Sequence, residues 1–121
     1  MNIKQVIVMR KDLNMRRGKE IAQGAHASMA FMTKKVRAGI LFSELEYEWM
    51  AGLFTKVCVR VNSEAELLGV EEAAKKNGIQ VEVITDSGKT EFGGVPTRTC
   101  LALGPDVAEK IDTITGSLAL Y

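Results

Sequence analysis

Hydrophobic positions along the chain change period several times, and each change marks an element. The run KQVIVMR (4–10) is short, apolar and β-branched, which predicts a buried strand. After a cationic loop (11–18), Ile21, Ala25, Met29, Met32 and Val36 recur at steps of three and four. That spacing predicts a helix over 19–37 with those residues as its core-facing stripe. Ser43 and Glu46 have capping-box spacing and open a short helix over 43–52. TKVCVRV (55–61) alternates, with Val57, Val59 and Val61 on one face, and reads as a strand. Ser63 and Glu66 cap a helix over 63–78 that ends on Lys75, Lys76 and Gly78. IQVEVIT (79–85) and TRTCLAL (97–103) are two further strands, separated by a glycine-rich loop (86–96). Gly104-Pro105 is expected to end the last strand, and Asp106 to cap a helix over 106–116 with Glu109 completing the box. The segment 117–121 is a final strand or a docked tail.

Strands joined through helices favour a three-layer α/β/α sandwich around a mixed sheet. The four strands fit that plan, with the third and fourth as an antiparallel pair. A chain of 121 residues with no repeat or linker is expected to be one domain, 1–121. At that length it buries enough surface to fold without disulfide or metal.

Composition narrows the class. Cys58 and Cys100 lie far apart inside apolar runs and read as buried free thiols. One histidine and no paired cysteines are too few ligands for a zinc site. No apolar run approaches the roughly 20 residues of a membrane span, so the expected setting is the cytoplasm, away from membranes. Net charge is +1, but residues 1–40 hold nine Lys and Arg against two acids, whereas the rest holds seven against thirteen. A basic opening segment suits an anionic partner, nucleic acid first; the plain alternative is that the charges mix again on folding.

Candidate chemistry gathers in two stretches. In MRRGKEIAQGAHASMA (15–30), Gln23 lies about 40° from Lys19 on the helical wheel and His26 about 20° to the other side. Ala22, Ala27 and Ala30 flank that stripe and leave room for another molecule, unless it is simply a solvated polar face. Lys19 sits in the first turn, where a cation opposes the helix dipole at a cost of about 0.5 kcal/mol. An anion arriving there explains it, with Lys11, Arg16 and Arg17 adding to the pull. TDSGKT (85–90) leaves a strand end and offers Asp86, Ser87 and Thr90, with Gly88 freeing the backbone. Its GKT is not a nucleotide-binding loop, because Val83 stands where the first glycine of that motif belongs. There is no G-x-S-x-G elbow, and both cysteines lie in strands, so hydrolysis here favours an activated water over a covalent intermediate.

In order along the chain, KQVIVMRKDLNMRRGKEIAQGAHAS, the strand and S-E-x-E-L-L helix of TKVCVRVNSEAELLGVEEAAKKNGI, ITDSGKTEF and TRTCLALGPDVAEKIDTITGSLALY resemble the peptidyl-tRNA hydrolase 2 family. The resemblance spans nearly the whole chain and includes the G-K-x-x-A-Q-x-x-H-A helix. Ile21, where the family usually has a small residue, Ser87, for a frequent alanine, and a slightly longer FGGVP link depart from it.

The resemblance implies a four-stranded α/β/α sandwich, usually dimeric, that cleaves the ester between a peptide and the terminal ribose of tRNA and needs no cofactor. It implies a catalytic set of Lys19, His26, Asp86, Thr90 and Thr99, with Gln23, Thr97, Arg16, Arg17 and Lys11 binding substrate. Under this reading the basic segment holds acceptor-stem phosphates, and Asp86, helped by His26, orients or deprotonates a water. Lys19 and threonine hydroxyls then stabilise the oxyanion. Two alternatives stand beside it: a non-catalytic tRNA- or protein-binding module, and a hydrolase of a related aminoacyl ester or amide. A pure binder needs the cations but not Asp86.

Overall fold

The computed structural model describes residues 2–121. The elements are β1 (Ile3–Arg10), α1 (Arg17–Ala38), α2 (Glu44–Ala51), β2 (Lys56–Val61), α3 (Glu64–Lys76), β3 (Val81–Asp86), β4 (Thr97–Val107) and α4 (Ala108–Thr115), with one 3₁₀ turn at Phe92–Gly94. The sheet runs in the order β2-β1-β4-β3. β1 pairs parallel with β2 and antiparallel with β4, and β3 pairs antiparallel with β4. The sheet is therefore mixed, and helices cover both of its faces.

Alternation along the strands sorts the core. Val6, Val8, Leu101 and Leu103 point to the α3–α4 side and pack with Leu67, Ala74 and Ile111. Met9, Cys100 and Ala102 point the other way and meet Ala27 of α1, with Ile7 beside them. Phe31, Trp49 and Ile3 fasten α2 to that layer. The expected capping box of α2 is present, with Ser43 Oγ accepting from Glu46 N at 3.1 Å and Glu46 Oε1 accepting from Ser43 N at 2.7 Å.

Four expectations need correction. The apolar stripe of α1 does not face the core: Ile21, Met29 and Val36 are 67%, 53% and 69% exposed. The buried face is Gln23, Gly24, Ala27, Ser28 and Phe31. Small residues let α1 lie close on the sheet, since a Cβ on Gly24 would already touch Met9 Cε at 3.6 Å. Ala27 is packed there instead of flanking an open approach. The polar members of this face are satisfied inside: Ser28 Oγ donates to Gln5 Oε1 at 2.6 Å, and Gln5 Nε2 donates to Ser28 O at 3.0 Å.

Gly104-Pro105 does not end β4. The pairing register with β1 slips between Lys4 and Val6, and the strand continues to Val107. Gly104 takes φ +86, and a Cβ there would sit 2.9 Å from Lys4 O and Asp106 N, so glycine lets the ladder absorb the irregularity as a bulge. Asp106 consequently belongs to the strand, and α4 starts at Ala108. The tail is tied to the free edge of β2: Arg60 N donates to Ala119 O at 3.0 Å and Tyr121 N to Cys58 O at 3.1 Å. That contact shields an edge strand.

Candidate active site

Lys19 and Asp86 come together from residues far apart in sequence. α1 begins at Arg17, two residues earlier than expected, which leaves Lys19 in its first turn with the ammonium turned toward the end of β3. Its Nζ donates to Asp86 Oδ1 at 2.9 Å and lies 3.4 Å from Thr90 Oγ1. The anion expected near the helix N-terminus is thus the protein's own carboxylate. Both side chains are largely shielded, at 16% and 12% exposure.

The turn after β3 holds Asp86 in place. Gly88 N donates to Asp86 Oδ2 at 2.9 Å, and Gly94 N donates to Gly88 O at 2.9 Å. Gly88 has φ +81, and a Cβ there would collide with the Val95 backbone carbonyl. Glycine is needed for both the conformation and the close approach. The second contact on Oδ1 comes from Gln23 Nε2 at 3.3 Å. The Lys19 hydrogen bond, then the Gly88 N–H, hold the Asp86 carboxyl below the usual carboxylate range.

Gln23 is 4% exposed and is itself held from below. Thr99 Oγ1 donates to Gln23 Oε1 at 2.5 Å, and Cys100 Sγ donates to Gln23 O at 3.4 Å. Because the amide oxygen takes the Thr99 proton, the amide N–H₂ must point at Asp86. Thr99 is fully buried and touches Gln23, not the space beside Asp86. Burial pushes the Cys100 thiol up to about 11, so it is an inert packing group.

The remaining expected residues divide. Thr90 is exposed on the loop beside Lys19. Thr97 pairs with Asp86 across the sheet, but its hydroxyl donates to Val95 O at 2.8 Å. His26 is exposed, two turns along α1 from Lys19, and among the described residues makes no hydrogen bond or ion pair. Arg16 reaches across to Glu91 of the loop, with Nη2 to Oε1 at 2.9 Å. The sequence signal for Glu91 is its place in ITDSGKTEF, one of the stretches that carry the resemblance.

Folding mixes much of the charge asymmetry. Of the nine cations in residues 1–40, Lys4, Arg10, Arg16, Lys19, Lys34 and Lys35 form ion pairs. Lys11, Arg17 and Arg37 form none among the described residues. Lys11 and Arg17 are exposed at either end of the loop that leads into the Lys19 turn. The site therefore combines an ionised carboxylate, an ammonium, a hydroxyl and adjoining uncommitted positive charge, a set suited to activating water against a polyanionic ester.

The family described as Peptidyl-tRNA hydrolase PTH2 matches residues 3–121. The chain is 46% identical over 119 residues to a peptidyl-tRNA hydrolase of Nanoarchaeum equitans, covering 98% of this chain and 99% of that one. It is 40% identical over 119 residues to one from Haloquadratum walsbyi, with 98% and 100% coverage. A protein of unknown function from Agrobacterium tumefaciens C58 shares the fold, with a TM-score of 0.64, 11% identity and coverage of 100% and 98%.

Proposed function

This chain belongs to the peptidyl-tRNA hydrolase PTH2 family, and from that premise we propose that Lys19, Asp86 and Thr90 hydrolyse the ester joining a peptide to the 3′-terminal ribose of tRNA. The chain is a hydrolase of peptidyl-tRNA, like its relatives. The observation that carries the site assignment is the 2.9 Å Lys19–Asp86 pair at the mouth of a glycine-fixed turn.

Asp86, ionised, accepts a hydrogen bond from a water and aims it at the ester carbonyl carbon. As the C–O bond forms, the water proton passes to Asp86. Lys19 Nζ and the Thr90 hydroxyl meet the negative charge that grows on the carbonyl oxygen. Collapse breaks the bond to the ribose oxygen, which leaves with the proton from Asp86, giving a peptide acid and free tRNA. Gln23 and Thr99 act as positioning residues: Thr99 fixes the Gln23 amide, and Gln23 fixes Asp86. Lys11 and Arg17, with Arg16 when it releases Glu91, hold acceptor-stem phosphates. His26, exposed on the same flank, and Thr97, beside Asp86, contact the tRNA end.

The working unit is one domain, 1–121, in a cytoplasmic homodimer. The exposed apolar side chains Ile40 and Leu41, between α1 and α2, and Leu53, just after α2, support self-association. No helix of the described residues is long and apolar enough to cross a membrane.

Incubation with N-acetyl-aminoacyl-tRNA and with free aminoacyl-tRNA tests the activity. Release of free tRNA from the blocked ester, with the free aminoacyl form spared, is the expected result. Binding without cleavage would leave only the non-catalytic module.

A further inference from the structure

Lys89 stands on the same turn as Asp86 and Thr90, and the chemistry of the Lys19–Asp86 pair does not use it. It is the lysine of the GKT stretch and the only basic residue in 86–96. We propose that its ammonium binds the phosphate joining the last two nucleotides of the tRNA, one sugar away from the ester. The inference rests on the hydrolase reading and adds a contact that recognises the nucleotide end of the substrate.

The backbone at Lys89 is fixed while its side chain is free. Lys89 N donates to Ser87 Oγ at 3.4 Å, Gly88 N to Asp86 Oδ2 at 2.9 Å and Gly94 N to Gly88 O at 2.9 Å, so the turn is pinned around the residue. The side chain is exposed and, among the described residues, makes no hydrogen bond or ion pair. The acid nearest to it in sequence, Glu91, pairs with Arg16 instead, with Nη2 to Oε1 at 2.9 Å.

Charge balance points the same way. The loop brings two carboxylates, Asp86 and Glu91, to the place where a polyanion must end. Lys19 and Arg16 neutralise them one for one. Among the described residues, Lys89 is therefore the uncommitted charge of the loop wall, as Lys11 and Arg17 are on the side of α1. A nucleic-acid end lying between the two walls meets positive charge on both.

Position selects the phosphate. Asp86 and Thr90 must both reach the ester, which sits on the terminal ribose. Adjacent residues are about 3.8 Å apart, so Lys89 starts beside Thr90, and its four-carbon stem spans about one sugar. The phosphate on the 5′ side of that ribose is the nearest anionic group of the substrate, and the next lies a further nucleotide away. A strongly hydrated point charge on a flexible stem suits a single-stranded end that enters and leaves at every turnover.

The test places one N-acetyl-aminoacyl group on three carriers: adenosine, the dinucleotide cytidylyl-adenosine and full-length tRNA. Only adenosine lacks the phosphate. The unaltered protein should cleave the dinucleotide ester with kcat/KM about tenfold above that of the adenosine ester, the size of one charge-assisted hydrogen bond. Lys89→Met should erase that preference, lowering kcat/KM for the dinucleotide and tRNA esters by about fivefold to tenfold through KM. The adenosine ester should stay within about twofold, because it offers the ammonium nothing to bind. Lys89→Arg should restore most of the loss. On full-length tRNA, the slope of log kcat/KM against log salt should become shallower by about 0.7 in Lys89→Met, the signature of one lost single-strand phosphate contact. Equal loss on all three esters, a dinucleotide preference that survives Lys89→Met, or an unchanged salt slope would overturn the inference. The slope decides alone if the short esters are cleaved too slowly to measure. If the unaltered protein cleaves none of the esters, full-length tRNA included, the hydrolase reading falls, and this inference with it.

Discussion

On one flank of α1, Lys19 and Gln23 meet Asp86, and each polar group is held by another: Thr99 under Gln23, Gly88 on Asp86. On the other flank, Ile21, Ala25 and Met29 stand apolar and exposed near β1 and β2. The buried seam between the flanks is built from small residues and Phe31. Polar atoms are thus buried where they act, and apolar atoms are left exposed. Ordinary folding energetics favour the reverse. The polar side is affordable because each buried group has a partner, which is also what fixes a site in one geometry. The apolar side, left exposed, contributes little to the fold of the single chain.

The comparison breaks most visibly through stability. Phe31→Ala removes a buried ring from the seam and should cost about 3–5 kcal/mol of unfolding free energy. Val36→Ala, on the open stripe, should stay within about 0.5 kcal/mol. Denaturant titration of the two variants checks this, and a comparable loss in both would mean that the stripe is packed after all.

A smaller effect sharpens the polar flank. Thr99→Val leaves Gln23 Oε1 buried without its donor, at about 1–3 kcal/mol. It also frees the amide to turn away from Asp86, so kcat should fall with KM nearly unchanged. Thr99→Ser keeps the hydroxyl and should restore most of kcat. A loss of stability without the kcat effect would reduce Thr99 to a packing residue.

The smallest effect is a titration. Lys19 and the Gly88 N–H hold the Asp86 carboxyl below its usual value. A carboxylate depressed in the folded state stabilises the fold above the unfolded value of about 3.9 and loses that contribution as pH falls through the folded value. Carboxyl NMR should therefore give Asp86 a midpoint below that of an ordinary aspartate, and Lys19→Ala should move it upward. An unmoved midpoint would remove Lys19 from the environment of Asp86.

Much of this arrangement was legible in the residues. Short apolar runs, with alternation in TKVCVRV, located all four strands, capping pairs located α2 and α3, and the motifs G-K-x-x-A-Q and D-S-G-K-T marked both walls of the site. The burial of α1 was not legible by apolar periodicity, because its inner face carries Gln23 and Ser28. Those two are tolerated inside only because Thr99 and Gln5 lie opposite, a pairing across 76 and 23 residues that no local pattern reveals. The clue that was available is Gly24, Ala27 and Phe31, small and aromatic residues at helical spacing. Likewise Gly104-Pro105 reads as a break from sequence alone. Only the bulged register against Lys4 shows that the strand passes through it.

The most direct test of the central claim is single-turnover hydrolysis of N-acetyl-aminoacyl-tRNA by the unaltered protein, Lys19→Met and Asp86→Asn, each checked for unchanged circular dichroism. Loss of one partner of the pair should slow ester cleavage by about tenfold to a thousandfold, with tRNA still bound. Cleavage at the unaltered rate in both variants would contradict the account, because the 2.9 Å pair would then be a structural contact and the ester would be cut elsewhere.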